Sequence, residues 1–156
     1  MALLGLTMHT VHLTAAASAP APVSVGVDLV DVPRIARLLQ DAGAAPRLLT
    51  ASELAYCAAR QSAAAEHAAA RFAAKEAVLK AFGTGLGDGL RWVDVEVVND
   101  SGGRPSIRLH GAARVLAARR GLRAIEISLS HTADLAIAHA VAVWSPPDPQ
   151  DHGGIA

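Results

Sequence analysis

The residues best placed to do chemistry lie in the stretch RFAAKEAVLKAFGTG, which runs from Arg71 to Gly85. Its pattern predicts a helix, so Glu76 and Lys80, four residues apart, would be neighbours on one helical face. Most surrounding residues are apolar, and a carboxylate inside an apolar helix must pair with a cation or bind a metal ion. The alternative is an exposed salt bridge, worth about 0.3–0.5 kcal/mol.

A second carboxylate lies near the start of the chain. The stretch VSVGVDLV, residues 23–30, alternates as a strand does and puts Asp28 on the face opposite Val25 and Val27. If this strand packs beside the helix, Asp28 and Glu76 converge. Two carboxylates with room for water suit Mg²⁺, which keeps several waters and usually bridges to substrate phosphates. Mn²⁺ is also compatible, whereas no His and Cys spacing favours zinc.

The glycine-rich stretch GTGLGDG, residues 83–89, resembles a dinucleotide-binding loop only superficially. The glycines of that fingerprint follow a strand and open a helix, whereas these follow a helix and lead to a strand. Two interpretations stay open. Gly83 and Gly85 either end the helix and form a turn, or bring backbone N–H groups close to an anion.

Other polar residues carry weaker signals. Ser130 and His131 are adjacent on a predicted strand end, so their side chains point to opposite faces, and no G-x-S-x-G elbow accompanies them. This argues against nucleophilic serine catalysis and favours a turn histidine that binds phosphate or faces solvent. Arg34 and Arg37 lie three apart on the first helix, where they either face solvent or dock an acidic partner.

The elements that would position these residues give an α+β fold, with a mainly antiparallel sheet and a long central helix. Asp31 and Pro33 open the first helix, and the capping box TASE, residues 50–53, opens the second. The third and longest helix spans about 63–82. Strands are predicted at 23–30, 91–98, 105–110, 124–130 and 135–143, with a helix at 111–120.

Length and composition set the broad class. The chain has 156 residues, and we expect one domain at 23–144, with a disordered leader at 1–22 and a disordered tail at 145–156. Lys and Arg number 14, as do Asp and Glu, so no net charge favours nucleic acid or an anionic membrane. The single Cys57 excludes an intrachain disulfide and fits a reducing, cytoplasmic location; we expect it to be a small buried hydrophobe.

The leader allows other interpretations. Its apolar patch resembles a signal peptide, but it lacks a positively charged start and is interrupted by His9 and His12. A wrongly chosen start codon is the other alternative.

Four stretches, in this order, resemble the motifs of the holo-acyl-carrier-protein synthases, the small 4′-phosphopantetheinyl transferases. VGVDLVDVPRI resembles the family's N-terminal motif, and RFAAKEAVLKAFGTG resembles its most specific one. GGRPSIRLHGAA resembles the hairpin strand with the helix after it, and ISLSHTADLAIAHAV resembles the C-terminal strand pair. The resemblance covers about residues 23–143.

The resemblance implies an activity: the phosphopantetheine arm of coenzyme A is moved onto a serine of an apo acyl carrier protein, releasing adenosine 3′,5′-bisphosphate. Asp28 and Glu76 would bind Mg²⁺ together with the coenzyme A pyrophosphate, and Lys80 would lie beside that pyrophosphate. The serine comes from the partner, so this chain needs no nucleophile. Either Glu76 or a metal-bound water would take the serine proton, and we favour the water because a ligating carboxylate is a poor base.

The resemblance also implies where the partners bind. Arg71, Ser130 and His131 would lie near coenzyme A, and the basic pair Arg34 and Arg37 would meet an acidic carrier protein. Family members of this length are homotrimers with each active site at a subunit junction. The carrier could serve fatty-acid synthesis, polyketide synthesis or both.

Two rival functions stay open. A Mg²⁺-dependent hydrolase would use Asp28, Glu76 and Lys80 on a free pyrophosphate compound and would need no protein partner. A non-catalytic module would dock carrier proteins, and its binding would be indifferent to Mg²⁺ and to Glu76→Gln.

Overall fold

A nineteen-residue helix, Ala64–Phe82, forms the middle of the fold, and a three-stranded sheet packs along it. The computed structural model describes residues 21–87 and 89–146, and most of the predicted leader and most of the predicted tail lie outside them. The helices are α1 Val32–Leu39, α2 Ala45–Leu48, α3 Ala51–Ala58, α4 Ala64–Phe82 and α5 Gly111–Arg119, with 3₁₀ turns at Gln61–Ala63 and Trp92–Asp94. The strands are β1 Val23–Asp31, β2 Val95–Asn99, β3 Pro105–Leu109, β4 Leu122–His131 and β5 Leu135–Trp144.

Every strand pairing among the described residues is antiparallel, which confirms the predicted α+β class. One sheet has the order β1-β5-β4, and the other is the β2-β3 hairpin. The domain boundaries at 23 and 144 stay a prediction. No helix in the described part of the chain combines the length and the apolar character that crossing a membrane requires.

Local capping explains where the helices begin and end. Asp31 caps α1 and accepts a hydrogen bond from the backbone N–H of Arg34 at 2.6 Å. Thr50 and Glu53 form the predicted capping box at the start of α3. Gly83, with φ of 70°, ends α4 in the left-handed conformation that glycine adopts without strain. Cys57 is buried, as expected.

The strand β1 packs directly on α4, and it does so through its polar face and not through the face that carries the valines. The face that carries Gly26 and Asp28 lies against α4, and a Cβ placed on Gly26 would be 1.9 Å from the carbonyl oxygen of Ala77. Helix α4 is rich in alanine, so its backbone can approach a strand this closely only opposite a glycine. The apolar side chains of β1 consequently face outward.

That outward face is a large apolar patch. Its β1 side chains are between 48% and 71% exposed, and Val141 and Leu135 of β5 are exposed beside them. We call this set the outer sheet face: Val23, Val25, Val27, Leu29, Leu135 and Val141. An exposed apolar patch of this kind commonly marks a protein interface.

Two expectations were wrong. Residues 91–94 were predicted as the start of a strand, but Trp92–Asp94 form a 3₁₀ turn and β2 begins at Val95. The reason is local, because the buried Asp94 carboxylate accepts hydrogen bonds from the backbone N–H and the guanidinium of Arg91 and so closes the turn. His131 was predicted in a turn and is instead the last residue of β4.

Candidate active site

The Asp28 carboxylate and the Lys80 ammonium come together where β1 crosses α4. Lys80 Nζ lies 2.7 Å from Asp28 Oδ1 and also donates to the carbonyl oxygen of Val27 at 3.0 Å. The Lys80 side chain is 50% exposed and that of Asp28 is 16% exposed, so the pair is open to solvent and to a ligand. The predicted convergence of strand and helix therefore places a charged pair at the protein surface.

Glu76 lies one turn before Lys80 on α4, and its carboxylate has a different partner. Glu76 Oε1 accepts a hydrogen bond from the indole Nε1 of Trp92. Residues four apart on a helix have Cβ atoms about 5–6 Å apart, so Glu76 borders the Lys80–Asp28 pair. Glu76 is partly exposed, and the apolar surroundings expected from the sequence therefore cover only part of it.

The carboxylates of Asp28 and Glu76 suit a divalent ion that binds oxygen ligands. Among residues 21–87 and 89–146, Asp28 Oδ2 and Glu76 Oε2 have no hydrogen-bond donor, so one oxygen of each carboxylate is available to a ligand. The same residues contain no group of three or more His, Cys, Asp or Glu that could enclose a metal. A site with two protein carboxylates matches Mg²⁺, which takes its remaining ligands from water and substrate phosphate.

The second lysine of the motif, Lys75, is not part of this surface. Its ammonium is fully buried and donates to Glu53 Oε2 at 2.7 Å, to the Val95 carbonyl oxygen at 2.6 Å and to the Trp92 carbonyl oxygen at 3.1 Å. All three of its protons are thus used. Burial lowers the pKa of Lys75, and the Glu53 carboxylate opposes this shift. Lys75 therefore joins α3, α4 and β2 and has no free proton for a substrate.

The two loop glycines border open space. Gly83 and Gly85 have φ of 70° and 57°, and an added Cβ at either position would meet no atom of the described residues within 4 Å. They are needed for the chain direction, and their surroundings leave room for a ligand. That their backbone N–H groups approach an anion such as coenzyme A stays a prediction.

Arg71 lies on another side of α4. It precedes Lys80 by nine residues, or about two and a half helical turns, and so points away from the Lys80–Asp28 pair. Its guanidinium stacks 3.7 Å above the Tyr56 ring and donates to Asn99 Oδ1 at 2.6 Å. Arg71 Nε is buried and has no hydrogen-bond partner among the described residues.

His131 lies beside Arg71 rather than beside Asp28. Its ring is 5.3 Å from that of His67, and both histidines line, together with Arg71, a cavity of about 200 Å³. The strand register puts His131 on β4 and Asp28 on β1, with β5 between them. The structure thus divides the predicted site residues into two groups on opposite sides of α4.

The remaining predicted residues lie apart from both groups. Ser130 alternates with His131 and is exposed on the opposite side of the sheet. Arg34 and Arg37 are exposed on α1, which begins four residues after Asp28. Their roles stay predictions.

Sequence reasoning missed several residues of the site. Trp92, Tyr56 and Asn99 were not considered, because each is separated in sequence from the motif that it contacts, and His67 was not considered because it lies four residues before the motif begins. The signal for the Lys75–Glu53 pair was present, since a lysine among buried alanines must find an acid. The best available acid was Glu53, which the capping box had already placed on a neighbouring helix.

Comparison with known proteins identifies the family. Residues 24–140 match the family model "4'-phosphopantetheinyl transferase superfamily". A curated protein of Geobacter sp. (strain M21), named holo-[acyl-carrier-protein] synthase, is 47% identical over 118 residues, covering 74% of this chain and 94% of the relative. A protein of the same name from Desulforudis audaxviator is 50% identical over 123 residues, covering 78% and 92%.

Solved structures agree with this assignment. The holo-ACP-synthase of Plasmodium yoelii is 32% identical with a TM-score of 0.67, over 79% of this chain and 95% of that one. A structure described as a Chronobacterium ammoniagenes ACPS-CoA complex is 27% identical with a TM-score of 0.71, over 80% and 99%. This chain belongs to the 4′-phosphopantetheinyl transferase superfamily, within the family of holo-acyl-carrier-protein synthases.

Proposed function

We propose that this protein transfers the 4′-phosphopantetheine group of coenzyme A to a serine of an apo acyl carrier protein, releasing adenosine 3′,5′-bisphosphate. The observation that carries the proposal is the Lys80–Asp28 pair, with Glu76 one turn away, at the residues of the family's motifs. Relatives about half identical to this chain are named for this activity, and one similar structure is described as a coenzyme A complex.

The roles follow from the groups present. Asp28 and Glu76 each have an oxygen available for Mg²⁺ or Mn²⁺, and the ion, when bound, would stabilise negative charge on the pyrophosphate. Lys80 is exposed and holds its ammonium where a phosphate oxygen can replace part of its contact with Asp28. Transfer of this kind depends mainly on positioning and on charge stabilisation, so the chain needs no nucleophile of its own.

Glu76 fits the role of ligand better than that of base. One oxygen already accepts a hydrogen bond from Trp92, and the other is the one available to a metal ion. A carboxylate with both oxygens engaged has little basicity left for the serine proton.

The separation of Arg71 from Lys80 supports a site shared between copies of the chain. A phosphate chain bound at Lys80 lies on the wrong side of α4 for the Arg71, His67 and His131 cavity of the same copy. The outer sheet face supplies an apolar surface that a second copy would cover. We therefore infer a homotrimer in which Arg71 and His131 of one copy complete the coenzyme A site of its neighbour.

Complementation tests the shared site. Lys80→Met chains and Arg71→Gln chains should each lose most of their activity, and mixed assemblies of the two should regain part of it. Light scattering should give the mass of three chains, and Val25→Lys should reduce it to one. A monomeric wild-type protein, or mixtures that stay inactive, would contradict the shared site.

Arg34 and Arg37 are exposed on α1, the helix that begins four residues after Asp28, and they offer positive charge to a partner. An acidic carrier of fatty-acid or polyketide synthesis matches this charge. Arg34→Ala should raise the KM for the carrier several-fold and leave kcat nearly unchanged. A cytoplasmic location, where coenzyme A and such carriers meet, stays a prediction.

Intact-mass spectrometry tests the function directly. An apo acyl carrier protein is incubated with this protein, coenzyme A and Mg²⁺, and a parallel sample contains EDTA. A gain of one phosphopantetheine mass, lost with EDTA, is the expected result. Asp28→Ala and Glu76→Ala should abolish the gain while circular dichroism stays unchanged, and Asp100→Asn, in the exposed β2-β3 turn, is the control.

The rivals give other outcomes. Release of adenosine 3′,5′-bisphosphate from coenzyme A without any carrier would indicate a hydrolase. Binding of the carrier without a mass gain, unaffected by EDTA and by Glu76→Gln, would indicate a docking module. Near-normal transfer by Glu76→Ala would refute the metal assignment.

A further inference from the structure

Glu76 has a natural partner that it does not use. Glu76 and Lys80 are four residues apart on α4, in the order that favours an ion pair between carboxylate and ammonium. In the structure Lys80 instead contacts Asp28, and Glu76 accepts its hydrogen bond from Trp92. Something must therefore hold the Glu76 side chain away from an ammonium that lies within its reach.

Trp92 is built to do this, because its own position is fixed from three sides. Its carbonyl oxygen accepts a hydrogen bond from the fully buried Lys75. Its ring packs against Phe72, with centroids 5.5 Å apart. Its 3₁₀ turn is closed by Asp94, whose carbonyl oxygen in turn accepts from the backbone N–H of His110 at 2.8 Å.

A donor held this firmly sets the direction of its acceptor. The indole N–H occupies Glu76 Oε1 and leaves Oε2 for another ligand. Groups that orient a ligating residue in this way commonly matter 10- to 100-fold for metal affinity or activity.

We propose that Trp92 is a positioning residue that keeps the Glu76 carboxylate in its metal-binding orientation and away from Lys80. This inference rests on the proposed function, since it takes Glu76 as a metal ligand. Without the indole N–H, Glu76 would turn toward Lys80 and form the i,i+4 pair. That pair would neutralise the ammonium and withdraw one of the two carboxylates from the ion.

The first test measures metal binding and not turnover. Mn²⁺ is titrated into the full chain with coenzyme A and without a carrier, and free Mn²⁺ is followed by electron paramagnetic resonance. Trp92→Phe keeps an aromatic ring against Phe72 but removes the N–H, and it should weaken Mn²⁺ binding about tenfold. Trp144→Phe is the matched control, because Trp144 donates to Ser24 away from the site, and it should bind Mn²⁺ as the wild type does.

A double-mutant cycle separates positioning from general damage. If Trp92 acts by keeping Glu76 from Lys80, the effect of Trp92→Phe on Mn²⁺ affinity should shrink to less than about threefold when Lys80 is also changed to Met. A packing defect would weaken binding equally in both backgrounds. Equal weakening would overturn the proposal even if the thermal midpoints of the variants agree.

Fluorescence supplies an independent readout. The chain has two tryptophans, so in Trp144→Phe the only indole is Trp92. Mg²⁺ with coenzyme A should shift its emission, and Glu76→Gln in the same background should abolish the shift.

The outcomes distinguish this inference from the proposed function. Wild-type Mn²⁺ affinity in Trp92→Phe, together with a loss of affinity in Glu76→Gln, would overturn the role of Trp92 and leave the metal site standing. Undiminished Mn²⁺ affinity in both Asp28→Ala and Glu76→Gln would overturn the metal site itself, and the role of Trp92 with it.

Discussion

Two lysine–carboxylate pairs lie five residues apart on α4, and each has an N–O distance of 2.7 Å. The side chains of Lys75 and Glu53 are completely buried, whereas those of Lys80 and Asp28 are 50% and 16% exposed. Lys75 has three acceptors, and Glu53 accepts in addition from the backbone N–H groups of Thr50 and Val97. One pair is saturated by the protein, and the other is left incomplete.

The difference shows that distance alone does not reveal what an ion pair does. A buried pair is retained because removing either partner leaves an uncompensated charge. An exposed pair adds little to stability, so its presence on an apolar helix needs another explanation. For Lys80 and Asp28 we propose that this explanation is a ligand, since both side chains keep contact with solvent on one side.

The largest expected effect comes from breaking the buried pair. Lys75→Met leaves Glu53 charged and buried without its ammonium, so the free energy of unfolding should fall by about 3–5 kcal/mol. Urea denaturation followed by circular dichroism measures it. Lys80→Met is the matched control, with an expected loss below about 1 kcal/mol. Equal losses in the two variants would contradict the contrast.

The second effect concerns the exposed pair and the reaction. Lys80→Met should lower the kcat/KM of phosphopantetheine transfer about 10²–10³-fold, because the leaving phosphate loses a preorganised positive charge. Mass-spectrometric rates, measured below the unfolding temperature of the variant, provide the check. A tenfold or smaller reduction would remove Lys80 from the reacting centre.

A third prediction concerns how stability depends on low pH. It involves Glu96, a buried carboxylate near the Lys75–Glu53 pair. Burial alone would raise the pKa of Glu96, but hydrogen bonds from Ser52, His110 and Thr50 outweigh it and lower the pKa from 4.5 to about 2. Glu96 therefore adds stability that is fully present above about pH 4.5 and is lost as the pH falls toward 2.

Urea denaturation at pH 7, 4.5 and 3 tests this dependence. The wild type should lose about 1 kcal/mol through Glu96 over the lower interval, because pKa values of 4.5 unfolded and about 2 folded allow no more than about 1.6 kcal/mol before allowance for its exposed partner His110. Glu96→Gln should start less stable at pH 7 and fall less between pH 4.5 and 3. A parallel decline in both proteins would mean that other carboxylates dominate.

The smallest effect concerns salt. Raising NaCl from 0.05 to 1 M shortens the screening length to about 3 Å, which weakens exposed pairs far more than buried ones. The stability difference between wild type and Lys80→Met should shrink toward zero, while that for Lys75→Met stays nearly constant. Denaturation at both salt concentrations makes the comparison.

The features predictable from the sequence were those decided within a few residues. The Asp31 cap and the capping box at Thr50 are local, and both were confirmed. The alternation of β1 was also predicted, but not which face is buried. That depended on the alanines of α4, which admit a strand carrying Gly26 and exclude one carrying valines.

The candidate site also contains some residues whose positions the sequence predicts and others whose positions it does not. The spacing of Glu76 and Lys80 and the position of Asp28 could be read from the sequence, because helix and strand periodicity fix their directions. The role of Trp92 could not be read from the sequence, because its contact with Glu76 depends on the course of the loop between α4 and β2. Nor could the separation of Arg71 from Lys80 be appreciated without the sheet and the cavity beside it.

Gly26 determines the distance between Asp28 on β1 and Lys80 on α4. The atom opposite it is a backbone oxygen of α4, which cannot rotate away as a side chain can. The close contact at residue 26 thus fixes how near β1 lies to α4. One added methyl group would push β1 away from the helix. Asp28 would then move away from Lys80 with every charged group still present. The distance between Asp28 and Lys80 therefore depends on Gly26 having no side chain. A substitution at this position could disable the charged site while every charged residue is kept.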